Sequence, residues 1–318
     1  MKKLILSLGV ICSFLVFSSC QDEENTVINT NNTFSSSDSF KIEEGVSASE
    51  MVISDIYNLV QLALDDQNVF YPNAQTAPII TKEKLSPSQV GDFPMILTID
   101  FTTDTLSNFD NRFRCGKIVA HVSAPWRDSL SVINAELQNY YLSTRTPYYQ
   151  DSQRLFSIAQ CNSNMKVKIL NKGLTYFDDQ FIKTLYITTD SAKVSNKYGS
   201  VEMKTSRYSY YYQGFETPTH LDDKLRNVHY SSGTATDNKT NWIWSATVPT
   251  NLDDGIPYFA YNRDCPWLIS GSILLNYEYV ASGQKRKSVI NFGPSNQSSK
   301  DNNASFNYNG TSIVIALP

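Results

Sequence analysis

The spacing of apolar positions changes character three times along the 318 residues. Behind Lys2 and Lys3, Leu4 to Phe17 form a mostly apolar run. It is too short to cross a bilayer, which takes about 20 apolar residues for roughly 30 Å of hydrocarbon. A basic start, a short apolar run and the small residues Ser18 and Ser19 predict an export segment over 1–19 that is cut away. Residues 20–40, rich in Asn, Ser, Thr and Asp, hold too little apolar surface to offset chain entropy and read as a flexible tether. The period then becomes helical. Val52, Ile56, Leu59 and Ala63 form one stripe, Ile53, Val60 and Leu64 widen it, and Ser47 with Glu50 makes a capping box. This predicts a helix over 48–66 within an N-terminal segment 41–70, ending where Asp65 and Asp66 oppose the macrodipole. A helix of this length is marginal alone in water, so it is expected to dock on the rest of the chain.

From Pro94 onward the period is two. Residues 95–101, 117–122, 131–137, 166–170, 181–188, 201–212, 242–248, 269–279, 288–292 and 311–317 read as strands, separated by clusters of Asn, Asp, Ser and Gly. Many short strands with no helical segments between them predict an all-β body over 94–318, its antiparallel strands packed as a β-sandwich. One or two sandwich units fit this length, with a seam near 172–180 in the second case. A faint echo, Ile99-Asp100-Phe101 before Asp110-Asn111 and Ile290-Asn291-Phe292 before Asp301-Asn302, fits either two related β units or chance.

Charge narrows the classes. With 27 Lys and Arg against 31 Asp and Glu, the net charge of -4 leaves no basic footprint, and a nucleic-acid partner is not expected. A 41% hydrophobic content with 19 Tyr and 16 Phe is enough to pack a core, which excludes disorder throughout.

Two resemblances refine the address. Phe17-Ser18-Ser19-Cys20 resembles the lipobox of bacterial lipoproteins, which implies lipidation of Cys20 and a membrane anchor there. An ordinary secretory signal ending near a cysteine is the alternative. Gln21-Asp22-Glu23-Glu24 resembles the acidic signal that sends some lipoproteins to the cell surface, or else is a solvated acidic tether. Further on, Leu97-Thr98-Ile99-Asp100-Phe101 with Asp110-Asn111-Arg112-Phe113-Arg114-Cys115-Gly116-Lys117-Ile118-Val119 resembles the opening motif of a broad set of uncharacterised surface-type lipoproteins. Cys265-Pro266-Trp267-Leu268-Ile269-Ser270-Gly271, then Val289-Ile290-Asn291-Phe292-Gly293, Asp301-Asn302 and Asn309-Gly310, is similar to their closing motif. Thr102 and Lys300 depart from it, where that family often has a glycine and a cysteine. The resemblance implies a lipid-anchored β protein and no particular chemistry.

The sequence carries no catalytic, cofactor or phosphate-loop signature, and no cofactor is expected. His220, Asp222, Asp223 and His229 are the nearest approach to a zinc set but lack a fourth ligand, and polar turn residues explain them better. Asp178-Asp179, Asp253-Asp254-Gly255 and Asp301-Asn302-Asn303 could offer oxygen ligands to calcium, though Asp and Asn favour turns in any case. A glycosidase would need paired carboxylates, for which Glu136, Glu202, Glu216 and Glu278 are candidates on strands. Trp242 and Trp244 share one strand face, as do Tyr208, Tyr210 and Tyr212. Exposed, such a row stacks on sugar rings; buried, it is core, which is the better-weighted outcome for the tryptophans. Once Cys12 is removed and Cys20 lipidated, Cys115, Cys161 and Cys265 remain. An exported chain favours a bridge, with Cys161 and Cys265 the pair to test and Cys115 a buried thiol. Asp104-Thr105-Leu106, Asp128-Ser129-Leu130 and Asp190-Ser191-Ala192 each resemble an acceptor motif for bacterial O-glycosylation.

These observations predict an outer-membrane lipoprotein anchored through Cys20 and facing outward, with the periplasmic face as the alternative. Its β body is expected to bind a glycan or a surface protein, or to serve an envelope assembly, without catalysis. A hydrolase acting on polysaccharide or peptidoglycan is the competing class.

Overall fold

The computed structural model describes residues 36–65, 77–101, 105–106, 112–143, 148–150, 153–155, 159–161, 165–177, 180–196, 199–213, 224–237, 241–247, 259–262, 265–292, 303–308 and 311–316. One helix, α1 (Ser36–Leu64), precedes all the strands. It begins inside the stretch expected to be tether, so Ser47 and Glu50 lie in mid-helix and do not cap it.

The strands then run in order: β1 (Ile79–Lys84), β2 (Met95–Asp100), β3 (Thr105–Leu106), β4 (Phe113–Val122), β5 (Val132–Ser143), and the small hairpin β6 (Tyr148–Gln150) and β7 (Gln153–Leu155). Next come β8 (Ala159–Cys161), β9 (Lys166–Phe177), β10 (Gln180–Asn196), β11 (Gly199–Gln213), β12 (Lys224–Asp237) and β13 (Asn241–Thr247). The last are β14 (Phe259–Asn262), β15 (Cys265–Tyr279), β16 (Gln284–Phe292), β17 (Asn303–Tyr308) and β18 (Thr311–Ala316). All but the β6–β7 hairpin belong to one 16-stranded sheet in which each pairing is antiparallel and neighbours mostly follow chain order. Where the order departs, one column of the sheet is split. β8 and β9 share the gap between β5 and β10, and β13 and β14 share the gap between β12 and β15. The all-β antiparallel body behind a single helix is thus what the sequence pattern predicts. On either side of the expected seam the sheet is continuous, since β9 and β10 pair from Gln180 opposite Phe177 to Thr188 opposite Lys168. Residues 36–318 form a single unit.

The core is the helix itself. From Ile42 to Ala63 every residue of α1 except Glu44 is buried, and the helix touches β2, β8, β10, β11, β12, β15, β16 and β17. Early, middle and late stretches of one sheet therefore close on α1 from different sides, sandwich-fashion. Val52, Ile53, Ile56, Leu59 and Val60 of α1 and the inward-facing Leu97, Ile118, Leu137, Ile187, Ile273 and Ile290 of the sheet are each at most 2% exposed. Burial of this kind supplies the main driving force of folding. Gly45 lets the helix lie against β11, since a Cβ there would sit 2.4 Å from Val201 Cγ2. Gly116 takes φ +82° in a β4 bulge, where a Cβ would sit 2.1 Å from the Asn139 carbonyl oxygen. That is a conformation and a gap open only to glycine.

The outward face is solvated. Lys117 pairs with Asp100 at 2.6 Å, Lys193 with Glu202 at 3.1 Å, Lys166 with Glu136 at 3.7 Å and Lys285 with Glu278 at 3.8 Å across neighbouring strands. A lipid-facing sheet would carry apolar residues at these positions, because a Lys near the bilayer midplane costs about 2–4 kcal/mol. Among the described residues no helix is long and apolar enough to cross a membrane.

Candidate functional site

The inward face carries an unexpected amount of charge. Asp55 of α1 receives Arg114 through Nε at 2.9 Å and a terminal nitrogen at 2.6 Å, Arg112 at 3.2 Å, and the hydroxyl of Tyr140 from β5. All four groups are buried. Burial alone would push the Asp55 carboxyl up, but Arg114 and Arg112 outweigh it and hold it below the usual carboxylate range. Five residues earlier, Glu50 accepts Arg207 of β11, which also donates to Ser54 Oγ at 3.3 Å. Tyr57 meets Tyr211 of β11 hydroxyl to hydroxyl at 2.6 Å, and Tyr277 of β15 donates to Glu43 at 3.2 Å. Among the described residues no arginine is hydrogen-bonded to Glu43, and burial, outweighing the attraction of Arg286, pushes its carboxyl up to about 7.

These contacts fix the helix along its axis. A slip of one residue moves it about 1.5 Å and turns it about 100°, which would break every pair at once. Glu50, Ser54, Tyr57 and Gln61 follow helical spacing and make one polar stripe facing β11, while Val52, Ile56, Leu59 and Ala63 make the apolar one. The interior ions therefore set register and are sealed from solvent.

The accessible chemistry lies on the other face of the same strands. Register places Thr184 of β10 opposite Tyr210 of β11, Tyr186 opposite Tyr208, and Thr188 opposite Ser206. On the far side of β10, Leu170 of β9 lies opposite Tyr186 and Lys168 opposite Thr188. Directly opposite residues share a sheet face, so all of these lie on the outer side with Tyr208, which is 36% exposed, although Thr184 is itself buried. The Tyr186 and Tyr208 rings are 4.8 Å apart, and Tyr208 and Tyr210 run nearly parallel at 16° with 6.3 Å between centroids. Lys172, the extra residue of a β9 bulge, holds Nζ 5.3 Å from the Tyr208 ring and 5.8 Å from that of Tyr186. Three aromatic rings, the hydroxyls of Thr188 and Ser206 and a lysine thus lie together on the outer side of β9–β11, while Thr184 is buried beside them. Such a surface can stack on flat apolar ring faces while its rim groups bond hydroxyls or anions.

Trp242 and Trp244 take the better-weighted of their two outcomes, which removes them as a sugar-stacking row. Both face inward and are 2% exposed, with Trp242 against Tyr277 and Tyr279 at 5.5 and 5.1 Å, so they are core. The tyrosine row does face out at Tyr208 and Tyr210, whereas the side chain of Tyr212 lies outside the described residues. Cys115 is a buried thiol pushed up to about 11 by burial. Cys161 and Cys265 are on β8 and β15, and their side chains lie outside the described residues, as does Cys20 entirely. Glu136, Glu202 and Glu278 stand on the outer face, each beside a lysine. His121 is exposed on β4, and the side chain of His229, with residues 220–223 and Glu216, lies outside the described residues. The same holds for Asp178-Asp179, Asp253-Asp254-Gly255 and Asp301-Asn302. Among the described residues no three His, Cys, Asp or Glu side chains gather as a metal site.

Sequence reasoning missed Asp55, Glu50, Arg112, Arg114 and Arg207. The signal was present in part, since Arg207 shares its strand parity with the apolar Val201 and Met203. Comparison with protein-family models, with curated proteins and with solved structures gives no match.

Proposed function

We propose that this chain is a lipid-anchored outer-membrane lipoprotein, held through Cys20 and facing outward, whose β body binds glycan without catalysis. One observation carries the binding reading: Tyr186, Tyr208 and Tyr210 stand together on the solvent side of β10 and β11 instead of in the core. Rings left exposed at Tyr208 and half-buried at Tyr186 and Tyr210 lose part of the burial that would stabilise the fold, a cost that a ring-stacking ligand offsets. The lipobox-like Phe17-Ser18-Ser19-Cys20 and the acidic run after it support the address. A polysaccharide or peptidoglycan hydrolase would use carboxylates opposed across a cleft, and the three described candidates each face a lysine instead.

Thermal unfolding against a panel of oligosaccharides tests the binding reading. A ligand of the native state raises the midpoint in a concentration-dependent way. Tyr208→Ala should remove that rise, and a panel that moves neither protein would refute the reading.

A further inference from the structure

We infer that the tyrosine face of β9–β11 takes an acidic polysaccharide, one with carboxylates along a chain of sugar rings. This rests on the glycan reading above and adds the charge of the ligand. Successive outward positions of a strand are spaced about 7 Å apart, and here they change from aromatic to cationic along the sheet. The first rung is Gly173, Thr184 and Tyr210, of which only Tyr210 is accessible, since Thr184 is buried and Ser129 lies over Gly173; the second is Leu170, Tyr186 and Tyr208; the third is Lys168, Thr188 and Ser206. Lys166 of β9 and Lys204 of β11 are the next outward residues on their strands.

In a chain of net charge -4, the outward positions of β9–β11 carry five lysines, Lys166, Lys168, Lys172, Lys193 and Lys204, against Asp190 and Glu202. Two of the five are committed, Lys166 to Glu136 and Lys193 to Glu202. Lys168, Lys172 and Lys204 have no carboxylate partner among the described residues, and Lys172 lies over the rings themselves. A neutral glycan would use the tyrosines and leave this excess of positive charge without a counterpart. A uronic-acid chain lying along β10 and β11 would stack ring faces on Tyr186, Tyr208 and Tyr210 and set carboxylates beside Lys168 and Lys172. The lysines then act as rim charges, contributing selectivity and salt dependence more than bulk affinity.

The test uses the full chain in detergent, titrated calorimetrically with polygalacturonate oligomers, neutral oligomers of the same length and polyglutamate. The uronate should bind more tightly than the neutral sugar and weaken as salt rises from about 0.05 M to about 0.5 M. Lys168→Gln and Lys172→Gln should each weaken uronate binding roughly two- to five-fold and leave neutral sugar unaffected. Equal affinity for the neutral oligomer, unchanged in both variants, would overturn the charge assignment and leave the glycan reading standing. Polyglutamate binding as tightly as uronate would show a face that counts charge alone, and absence of binding by any sugar would refute both readings.

Discussion

In β13, Trp242, Trp244 and Ala246 face inward while Asn241, Ile243 and Ser245 face outward. In β11, two columns away across β12, Thr205, Arg207 and Ser209 face inward while Tyr208 and Tyr210 face outward. Both strands alternate with period two, yet one buries its aromatics and the other buries its charge. The difference is set by what α1 presents. Against β11 the helix turns Glu50, Ser54, Tyr57 and Gln61, so the strand answers with Arg207 and Tyr211. Period fixes which residues share a face, and only the partner surface decides which face is interior.

The largest effect that could break this picture is at Asp55. Asp55→Ala leaves Arg112 and Arg114 buried without their counter-charge, and urea unfolding should show a loss of about 3–5 kcal/mol. A change near zero would mean that the arginines reach solvent. Trp242→Ala, on the ordinary strand, should cost about 3 kcal/mol or somewhat more by opening a cavity, with glycan affinity unchanged.

Glu43 sharpens the contrast from within the helix. Unfolded, it ionises near 4.5; folded, near 7, because burial disfavours its charge. Between those pH values the unfolded chain gives up a proton that the native chain keeps, so stability falls as pH rises through the window and then levels off. Glu43→Gln should abolish that slope and leave the protein about 3 kcal/mol more stable at pH above 7 than its parent. Asp55 works in the opposite direction. Its native carboxyl is held low by Arg114 and Arg112 against the effect of burial, so its contribution is complete above the ordinary carboxylate range. It is lost as pH falls through the lowered native value. A pH series of urea midpoints on the parent and on each variant separates the two. The smallest stability effect belongs to the outer face. Tyr208→Ala should change unfolding free energy by less than about 0.5 kcal/mol while removing glycan binding, the reverse of Trp242→Ala.

Much of the architecture was legible. Each of the ten segments of period two corresponds to a strand, because alternation with turn residues between is a local property. β12 escaped notice because Lys224–Asp237 holds few apolar residues, and it is a strand through its pairing with β11 along nearly its whole length. The first turns of α1 escaped because Ser36-Ser37-Asp38-Ser39 reads as a tether, and helix there is the extension of a segment stabilised by burial further on. Beyond the parity of Arg207, the ionic interior could not be read. Glu50 and Arg207 lie 157 residues apart, and nothing local marks either as the partner of the other. The tyrosine row was legible as a row, but its side of the sheet depended on α1.

Hydroxyl-radical footprinting read by mass spectrometry, with and without polygalacturonate, tests the inside-out arrangement of β11 most directly. Tyr208 and Tyr210 should be labelled readily, Tyr211, Trp242 and Trp244 should be protected, and the ligand should add protection at Tyr208 and Tyr210 alone. Labelling of Trp242 and Trp244 as fast as Tyr208, or ligand protection falling elsewhere, would contradict the account.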